Sequence, residues 1–363
     1  MKYNDIRRKS REVSVGNVKI GGKNKIAIQS MTNTDTKDAN ATLEQIKRLA
    51  SAGCDIVRIT VPDETAAETV RVIKESGINI PIVADIHFDY RAALKSAEYG
   101  VDKIRINPGN IGDEERIRAV INACKERNIS IRIGVNSGSL EKHILEKYGS
   151  PTPEALCESA LYHASILEKY DFYNTVISIK SSDVASMIKA NRLVGERCDY
   201  PIHIGVTEAG DEHSGAIKSA IGVGALLCDG LGDTLRVSLT ADPVREIAAA
   251  KEILNALNIE GQCGMNVVSC PTCGRTKIDL IDLNRRFKDA IDKEGLSDFP
   301  ITVALMGCIV NGPGEAREAD IGIAGGVGEA LLFAHGEIIG KISEKDIIPT
   351  LIKEIKNIKD ERN

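Results

Sequence analysis

Short runs rich in branched apolar residues recur eight times in the first two-thirds of the chain, and segments with helical spacing of apolar residues lie between them. The predicted strands are 25–31, 55–61, 80–86, 103–107, 130–135, 175–179, 202–206 and 234–239. Strand–helix alternation repeated eight times is typical of an α/β chain folded as a (β/α)8 TIM barrel. The long gap between residues 136 and 173 holds two helix-like stretches, which we interpret as an insertion between repeats.

The pattern changes after residue 258. A short strand over 264–273 leads into a cysteine-containing turn, and an amphipathic helix is predicted over 277–294. Further strands are predicted at 301–305, 321–323 and 331–339, before a closing helix over 348–358. We therefore predict a TIM-barrel domain over residues 1–257, a linker at about 258–262 and a small α+β domain over 263–363.

Composition narrows the class of protein. The 363 residues suit a barrel of about 250 residues plus a second domain. A net charge of −5 argues against non-specific binding to nucleic acid or to an anionic membrane. No apolar run has the length of a membrane span, and the N-terminus lacks the apolar stretch of a signal peptide. Nine cysteines, six of them scattered in ordinary context, suggest a reducing cytoplasm rather than a disulfide framework.

Three cysteines and a glutamate near the C-terminus indicate a metal centre. Cys270 and Cys273 lie in Cys-Pro-Thr-Cys, a spacing that places two thiolates on one turn. Cys308 follows in Met-Gly-Cys, and Glu315 lies in a Gly-Pro-Gly-Glu turn nearby. Three thiolates with one weaker carboxylate favour a catalytic iron–sulfur cluster in which one iron can exchange its ligand. The alternatives are a three-cysteine zinc site and a redox-active Cys-x-x-Cys pair.

Five basic residues at the predicted strand ends form what we call the cation cluster: Arg58, Arg105, Arg132, Lys180 and Arg236. The carboxyl ends of barrel strands converge on one mouth, where five cations repel each other unless an anion neutralises them. Forked arginine donors match phosphate oxygens, and neutral hydrogen bonds are available from Asn107, Asn136 and Ser238. We expect a ligand with at least two negative charges, such as a diphosphate. Alternatively, some of these cations pair with carboxylates such as Asp85 or Glu208.

Several other polar residues end predicted strands and are candidate site residues. Glu208, in Thr-Glu-Ala-Gly, is a candidate general acid or a partner of a substrate hydroxyl, or else an N-cap of the following helix. His87 and His203 can donate to a ligand or hold a loop. Asp85 precedes His87 by two residues and is included among the candidate substrate-binding residues.

The motifs together resemble a known family. The segments Gln-Ser-Met-Thr-Asn-Thr, Asp-Ile-His-Phe, Arg-Ile-Asn-Pro-Gly-Asn, Arg-Ile-Gly-Val-Asn-Ser-Gly-Ser-Leu, Thr-Glu-Ala-Gly, Cys-Pro-Thr-Cys-Gly-Arg and Met-Gly-Cys-Ile-Val-Asn-Gly-Pro-Gly-Glu-Ala are similar to those of the 4-hydroxy-3-methylbut-2-en-1-yl diphosphate synthase family. The resemblance covers nearly the whole chain, and its length matches the compact bacterial two-domain form. This family performs the penultimate step of the methylerythritol phosphate route to isoprenoid precursors.

The resemblance implies a specific site. The second domain would resemble the iron–sulfur domain of sulfite and nitrite reductases and would carry one 4Fe–4S cluster on Cys270, Cys273, Cys308 and Glu315. The substrate would be 2-C-methyl-D-erythritol 2,4-cyclodiphosphate, opened and dehydrated with two electrons from flavodoxin or ferredoxin. A runner-up from another class is a zinc-stabilised TIM-barrel isomerase or aldolase of a sugar phosphate, with Lys180 as a Schiff-base lysine. A non-enzymatic module is disfavoured by the acidic charge balance.

The predicted linker bears on assembly. The last barrel helix runs back to the face away from the mouth, and about five linker residues extend at most ~18 Å. A second domain that caps the barrel of a neighbouring chain avoids the long path to its own mouth. The family resemblance likewise implies a head-to-tail homodimer.

Overall fold

The computed structural model describes residues 3–259, 264–309 and 319–362. The chain divides into two compact units, Met1–Ile253 and Leu254–Asn363. The predicted domain bounds stay predictions, and residues 260–262 of the predicted linker lie outside the described residues.

The first unit confirms the predicted TIM barrel. Its eight parallel strands are β3 Ala27–Met31, β4 Ile56–Thr60, β5 Ile82–Asp85, β6 Lys103–Ile106, β7 Ser130–Asn136, β8 Thr175–Lys180, β9 His203–Ile204 and β10 Thr234–Leu235. They follow the order β8-β7-β6-β5-β4-β3-β10-β9, and an isolated parallel bridge between Ile177 and Ile202 joins the two ends. The polar ends of all eight strands therefore meet at one face.

Aspartates cap the N-termini of several barrel helices. Asp38, Asp63, Asp89, Asp183 and Asp211 each accept a hydrogen bond from a backbone N–H of the first turn. The helices are Tyr3–Ile6, Ala39–Ser51, Glu64–Glu75, Tyr90–Glu98, Pro108–Ile111, Glu114–Glu126, Lys142–Tyr148, Pro153–Glu168, Val184–Arg197, Glu212–Cys228 and Pro243–Ala256, with a 3-10 turn at Ser137–Ser139. The helices Lys142–Tyr148 and Pro153–Glu168 are the two predicted in the insertion. None of the helices in the described ranges is long and apolar enough to cross a bilayer.

A short hairpin that the sequence reading missed precedes the barrel. Its strands β1, Val13–Val15, and β2, Val18–Ile20, pair antiparallel. The buried side chains of this hairpin form one apolar cluster with residues near the strand starts, namely Ala27, Ile56, Val83 and Val176. The hairpin therefore covers the end of the barrel opposite to the mouth.

Two barrel strands are much shorter than predicted. β9 and β10 span two residues each, against predictions of 202–206 and 234–239. A Cβ built at Gly205 would overlap the carbonyl oxygen of Arg236. The backbone segments that follow β9 and β10 therefore approach very closely just beyond the paired residues. The regular ladder ends there, and the polar residues that follow belong to mouth loops.

The barrel interior contains polar side chains below the mouth. Lys103 begins β6, is 0% exposed, and its Nζ has no hydrogen-bond partner among the described residues. Gln29 and His203 are also buried, with unpartnered amide atoms and an unpartnered Nε2. Burial, reinforced by Arg132 and Arg58, lowers the pKa of Lys103 to about 7. The centre of this barrel is therefore not a purely apolar core.

The second unit is a mixed sheet with helices. Its strands β11 Asn266–Ser269, β12 Thr302–Met306, β13 Ile321–Gly325, β14 Glu329–Ala334 and β15 Glu337–Ser343 lie in that order. The first three are parallel and the last two pairings are antiparallel. Helices Leu280–Lys293 and Ile347–Arg362 belong to the same unit, and Phe287 is fully buried in its core cluster with Leu283 and Leu351. This confirms the predicted α+β class.

One predicted strand is wrong. The run 331–339 is divided by a tight turn between β14 and β15 at His335 and Gly336, whose φ values are 50° and 83°. Two successive residues at positive φ are typical of a type I′ hairpin turn, which favours strands of the observed twist. The sequence did not indicate this turn, because Asn or Asp, and not His, is the usual first residue of a two-residue hairpin turn.

Replacing Lys103 by Met tests the buried amine. Its folded pKa lies below the value in an unfolded chain, so the penalty is full below pH 7 and fades as pH rises towards 10.5. We expect Lys103→Met to raise the free energy of unfolding by about 1–4 kcal/mol at pH 6, with a gain that shrinks by pH 9. Urea titrations at both pH values measure this. Surface Lys95→Met, which loses an ion pair with Glu98 and a cation–π contact with Tyr99, is the control. An effect of Lys103→Met that is equal to the control's, or negative, contradicts the assignment.

Candidate functional site

The carboxyl ends of the barrel strands enclose a polar cavity of about 100 Å³. All five members of the cation cluster line it. The remaining lining residues are Asp85, His87, Gly134, Asn136, Ser178, Thr207 and Ser238. Residues distant in sequence are thus neighbours here, as the predicted strand order requires.

Asp85 is the acidic residue among those lining the cavity and holds two of the arginines. Its Oδ1 lies 3.0 Å from Arg105 Nη1, and its Oδ2 lies 3.3 Å from Arg58 Nη2. His87 Nε2 lies 4.0 Å from the same Oδ2. Burial alone would raise the pKa of Asp85, but Arg58 and Arg105 outweigh it and lower the pKa to about 2. Asp85 is therefore an anion that fixes cations in place rather than a proton donor.

Arg236 is held from behind by a carboxylate outside the predicted site. Its Nη2 and Nε lie 3.1 Å and 3.2 Å from the two oxygens of Glu246, on helix Pro243–Ala256. Glu246 is 3% exposed and also accepts hydrogen bonds from the Ser30 hydroxyl and the Leu239 amide. This buried, fully used carboxylate orients the guanidinium towards the cavity.

Arg132 and Lys180 are the members of the cation cluster with the least compensation. Arg132 is 2% exposed, and its Nε and Nη1 are buried without a hydrogen-bond partner among the described residues. Burial and then Arg58 and Arg105 lower the pKa of Arg132, while burial and then Arg236 and Arg132 lower the pKa of Lys180. Buried donors of this kind need an acceptor, so the arrangement calls for a bound anion.

Two glycines make room for the basic side chains. A Cβ built at Gly134 on β7 would overlap the Nε of Arg105, and one at Gly205 would lie 3.1 Å from Lys180 Nζ. The guanidinium of Arg105 lies against the bare backbone of β7, where its Nη2 also donates to the Gly134 carbonyl over 3.3 Å. Any larger residue at Gly134 must displace this arginine.

The charges do not balance. Five basic side chains line the cavity, whereas Asp85 and Glu246 are the carboxylates paired with them. Such an excess in a buried setting is destabilising unless a ligand of opposite charge binds. The expected salt-bridge alternative is therefore present in part, through Asp85, but it leaves about three positive charges available for an anion.

The other predicted site residues fall in four places. Asn136 and Ser238 line the cavity. Asn107 caps helix Pro108–Ile111 through Gly109, and its buried Nδ2 is unpartnered among the described residues. His203 is fully buried in the barrel, with Nδ1 3.3 Å from Thr234 Oγ1. Glu208 is exposed beyond β9 and has a φ of 52°, a strained value for a residue other than glycine.

Several contributing residues carry no clear sequence signal. Glu246 lies on a helix, and nothing in its spacing places it behind the mouth.

Glu141 and buried His163 form a hydrogen-bonded pair, and Ser159 Oγ donates to the second Glu141 oxygen over 2.7 Å. This pair fastens the chain after β7 to helix Pro153–Glu168. Gly134 was detectable in principle, because a glycine inside a strand often marks a close approach.

The cysteines lie at the ends of two neighbouring parallel strands in the second unit. Cys270 follows β11, and Gly307 and Cys308 follow β12. The Gly307 amide donates to Cys270 Sγ over 3.2 Å, and its carbonyl accepts from the Lys277 amide over 2.9 Å. A Cβ at Gly307 would lie 2.8 Å from Thr276, so this approach of the two loops requires a glycine. The three thiols are thereby presented from one edge of the sheet.

The donor set suits an iron–sulfur group. Cys270 and Cys308 are partly exposed and Cys273 is exposed, and an N–H···S hydrogen bond of the kind seen here tunes cluster thiolates. Hydrogen bonds from Arg275 lower the pKa of the Cys273 thiol. Across 3–259, 264–309 and 319–362, no three His, Cys, Asp or Glu side chains are grouped so as to hold a single metal ion. Predicted ligand Glu315 lies outside these ranges.

The barrel has a counterpart of known structure. A dihydropteroate synthase from Stenotrophomonas maltophilia superposes with a TM-score of 0.51 at 12% identity, over 69% of this chain and 97% of that chain. At this identity the likeness concerns the fold alone.

Whole-length relatives are far more similar. A protein of Clostridium perfringens named 4-hydroxy-3-methylbut-2-en-1-yl diphosphate synthase (flavodoxin) is 57% identical over 97% of this chain and 99% of its own length. Proteins of the same name from Caldanaerobacter subterraneus and Geobacter sulfurreducens are 57% and 55% identical over 98% and 99% of this chain, and over 99% and 100% of their own lengths.

Family models match both parts of the chain. The GcpE TIM-barrel domain matches residues 10–251, and the GcpE protein C-terminal domain matches residues 266–357. Together with the identity over nearly the full length, these matches settle the relationship. The chain belongs to the 4-hydroxy-3-methylbut-2-en-1-yl diphosphate synthase family.

Proposed function

We propose that this chain is an oxidoreductase that converts 2-C-methyl-D-erythritol 2,4-cyclodiphosphate into (E)-4-hydroxy-3-methylbut-2-en-1-yl diphosphate, a step of isoprenoid precursor synthesis. The observation that carries the proposal is the cavity lined by the cation cluster, whose excess of buried positive charge matches a cyclic diphosphate. The relatives' names support the same product. Two electrons break the ring C–O bond at C2, the C3 hydroxyl leaves with one proton as water, and a C2=C3 double bond forms.

The barrel residues bind and orient the diphosphate. Arg132 and Lys180 supply the donors with least internal compensation, and Arg58, Arg105 and Arg236 approach with their positions already fixed by Asp85 and Glu246. Preorganised donors of this kind lose little entropy on binding. Ring opening leaves the diphosphate with one additional negative charge, so the cation cluster stabilises the product side of the step as well.

The second unit would hold the redox group. Cys270, Cys273 and Cys308 are the proposed thiolate ligands of one 4Fe–4S cluster, with Glu315 as the proposed fourth ligand. Held by these residues, such a cluster would supply electrons to the reaction one at a time. The Gly307 amide donates a hydrogen bond to the Cys270 sulfur and so helps to position one of these proposed ligands. The electron donor is proposed to be flavodoxin, as the relatives' names indicate, with ferredoxin as the alternative.

Glu208 is the proposed proton-handling residue. It is exposed in the loop after β9 with a φ of 52°, and the following helix is capped by Asp211 and not by Glu208. We assign it a role near the carbon skeleton, where the departing hydroxyl needs a proton. His87, paired at 4.0 Å with Asp85, borders the same cavity and is proposed to contact the substrate.

Cell context and assembly are part of the proposal. The eight cysteines in the described residues are all free thiols, which suits a reducing cytoplasm. We further propose a homodimer in which the cluster-bearing domain of one chain serves the barrel of the other, as the short predicted linker suggests.

Exchange of single cysteines tests the cluster. We expect Cys270→Ser, Cys273→Ser and Cys308→Ser to lose most bound iron and sulfide after anaerobic purification, because each removes a proposed thiolate ligand. Cys228→Ser, at an exposed cysteine of the barrel unit, is the matched control and keeps the full complement. Iron and acid-labile sulfide analysis with absorption spectra gives the result. Stoichiometric zinc without sulfide in the parent protein contradicts the cluster and favours the zinc alternative.

A single methyl group tests the binding site. Gly134→Ala forces Arg105 away from Asp85, so we expect the affinity for the cyclic diphosphate to fall by about 10- to 100-fold. The control is Gly224→Ala on helix Glu212–Cys228, where a Cβ meets no atom within 4 Å. Isothermal titration calorimetry measures both affinities. Unchanged binding by a folded Gly134→Ala protein is incompatible with a role for Arg105.

Mixing two inactive variants tests the dimer. Glu208→Gln chains keep the thiolates, and Cys308→Ser chains keep the barrel. In mixed dimers, the intact barrel of one chain meets the intact cluster of the other, so about half of the heterodimer's sites regain activity if domains are shared. Differently tagged chains allow purification of the heterodimer before the assay. Pure heterodimer without activity indicates that each chain closes its own site.

A further inference from the structure

A layer of buried polar groups lies below the cation cluster inside the barrel. Lys103 and Arg105 are two residues apart on β6, so their side chains leave the same face of the strand about 7 Å apart. Lys103 pairs in register with Ser130, as Arg105 does with Arg132. Lys103 Nζ and Ser130 Oγ are both buried without a hydrogen-bond partner among the described residues. The amine therefore lies one layer beneath the anion cavity.

The charged surroundings of this amine are almost all basic. The positive charges of Arg132 and Arg58 lower the pKa of Lys103, and the charge of Lys103 in turn lowers the pKa of His203. The titratable or charged groups on the strands around it are Arg58 on β4, Asp85 on β5, Arg105 on β6, Arg132 on β7, Lys180 on β8, His203 on β9 and Arg236 at the end of β10. Asp85 already pairs with Arg58 and Arg105. No described carboxylate thus forms an ion pair with Lys103.

We propose that the Lys103 amine, unpaired beneath the cation cluster, takes up a proton when the cyclic diphosphate enters the cavity and then adds a positive charge that does not touch the ligand. The inference rests on the proposed function. It makes Lys103 a positioning residue that acts through the field and not through contact.

The charges around Lys103 determine in which direction its pKa changes when the ligand binds. Burial and the neighbouring arginines hold the pKa of Lys103 to about 7, so the amine is largely neutral at pH 8 in the empty barrel. A dianion seated on Arg58 and Arg132 offsets their repulsion and raises that pKa. A buried amine without a carboxylate partner is costly in the empty barrel, and a bound dianion offsets part of that cost.

The charge of the ligand stays constant near neutral pH, so protons taken up on binding can be assigned to the protein. Each phosphorus of the cyclic diphosphate bears a single ionisable hydroxyl of the strongly acidic kind, because its other oxygens are in ester or anhydride bonds. The ligand therefore carries two negative charges throughout the neutral range, and protons taken up on binding are bound by the protein. Ring opening adds a further negative charge, which a protonated Lys103 also stabilises.

Calorimetry in two buffers of different ionisation enthalpy measures the uptake. The oxidised holoenzyme is titrated with the cyclic diphosphate at pH 8. No reductant is added, so turnover does not occur. We expect Lys103→Met to take up fewer protons than the parent, by a difference approaching about one. Affinity of the parent should weaken by up to about tenfold from pH 7.5 to 8.5, less steeply in the variant. Lys103→Gln repeats the test with a polar isostere, and surface Lys95→Met serves as control.

The outcomes separate the two proposals. A parent protein that does not bind the cyclic diphosphate overturns the proposed function itself. Binding with equal proton uptake in the parent, Lys103→Met and Lys103→Gln overturns the role of Lys103 while leaving the proposed function intact. A merely structural lysine would alter stability in these variants but not the number of protons taken up.

Discussion

Repulsion between buried cations is the constraint on which the barrel depends. Arg58, Arg105 and Arg236 are kept in place by Asp85 and Glu246, and the interior still holds more positive than negative charge. In a buried setting such an excess costs several kcal/mol unless an anion neutralises it. The empty barrel is therefore expected to be less stable than it would be without this excess of charge, and three of its cations are already held in place at the mouth. The glycines at 134 and 205 belong to the same arrangement, since they admit the long basic side chains.

The second unit follows a different logic. Its apolar core around Phe287 supports a sheet whose parallel strands β11 and β12 end side by side. Both cysteine loops begin at those ends, and the backbone of Gly307 ties them together. Soft thiolates from two loops of one rigid sheet suit a group that exchanges electrons without large movement of its ligands. In the proposed function, charge recognition and redox chemistry thus rest on separate sets of residues.

Sequence periodicity was sufficient for the architecture. Strands such as β6 and β7 lie where alternating runs predicted them, and the cations at their ends line one cavity, because parallel strands of a barrel must converge there. The sequence could not predict the partners that other elements supply to these cations. Glu246 lies on a helix, and the burial of Lys103 follows from the layers inside the barrel. The turn at His335 and Gly336 was missed because Asn or Asp, and not histidine, is the usual first residue of a two-residue hairpin turn.

We propose that uncompensated buried cations in the barrel mouth bind the diphosphate. The most direct measurement is the affinity of oxidised protein for 2-C-methyl-D-erythritol 2,4-cyclodiphosphate at low and high salt, for the parent and for Arg132→Met. This proposal predicts saturable binding of one ligand per chain, only modest weakening by salt because the site is buried, and a loss of about 2–5 kcal/mol in the variant. Equal affinity of Arg132→Met and the parent would contradict it.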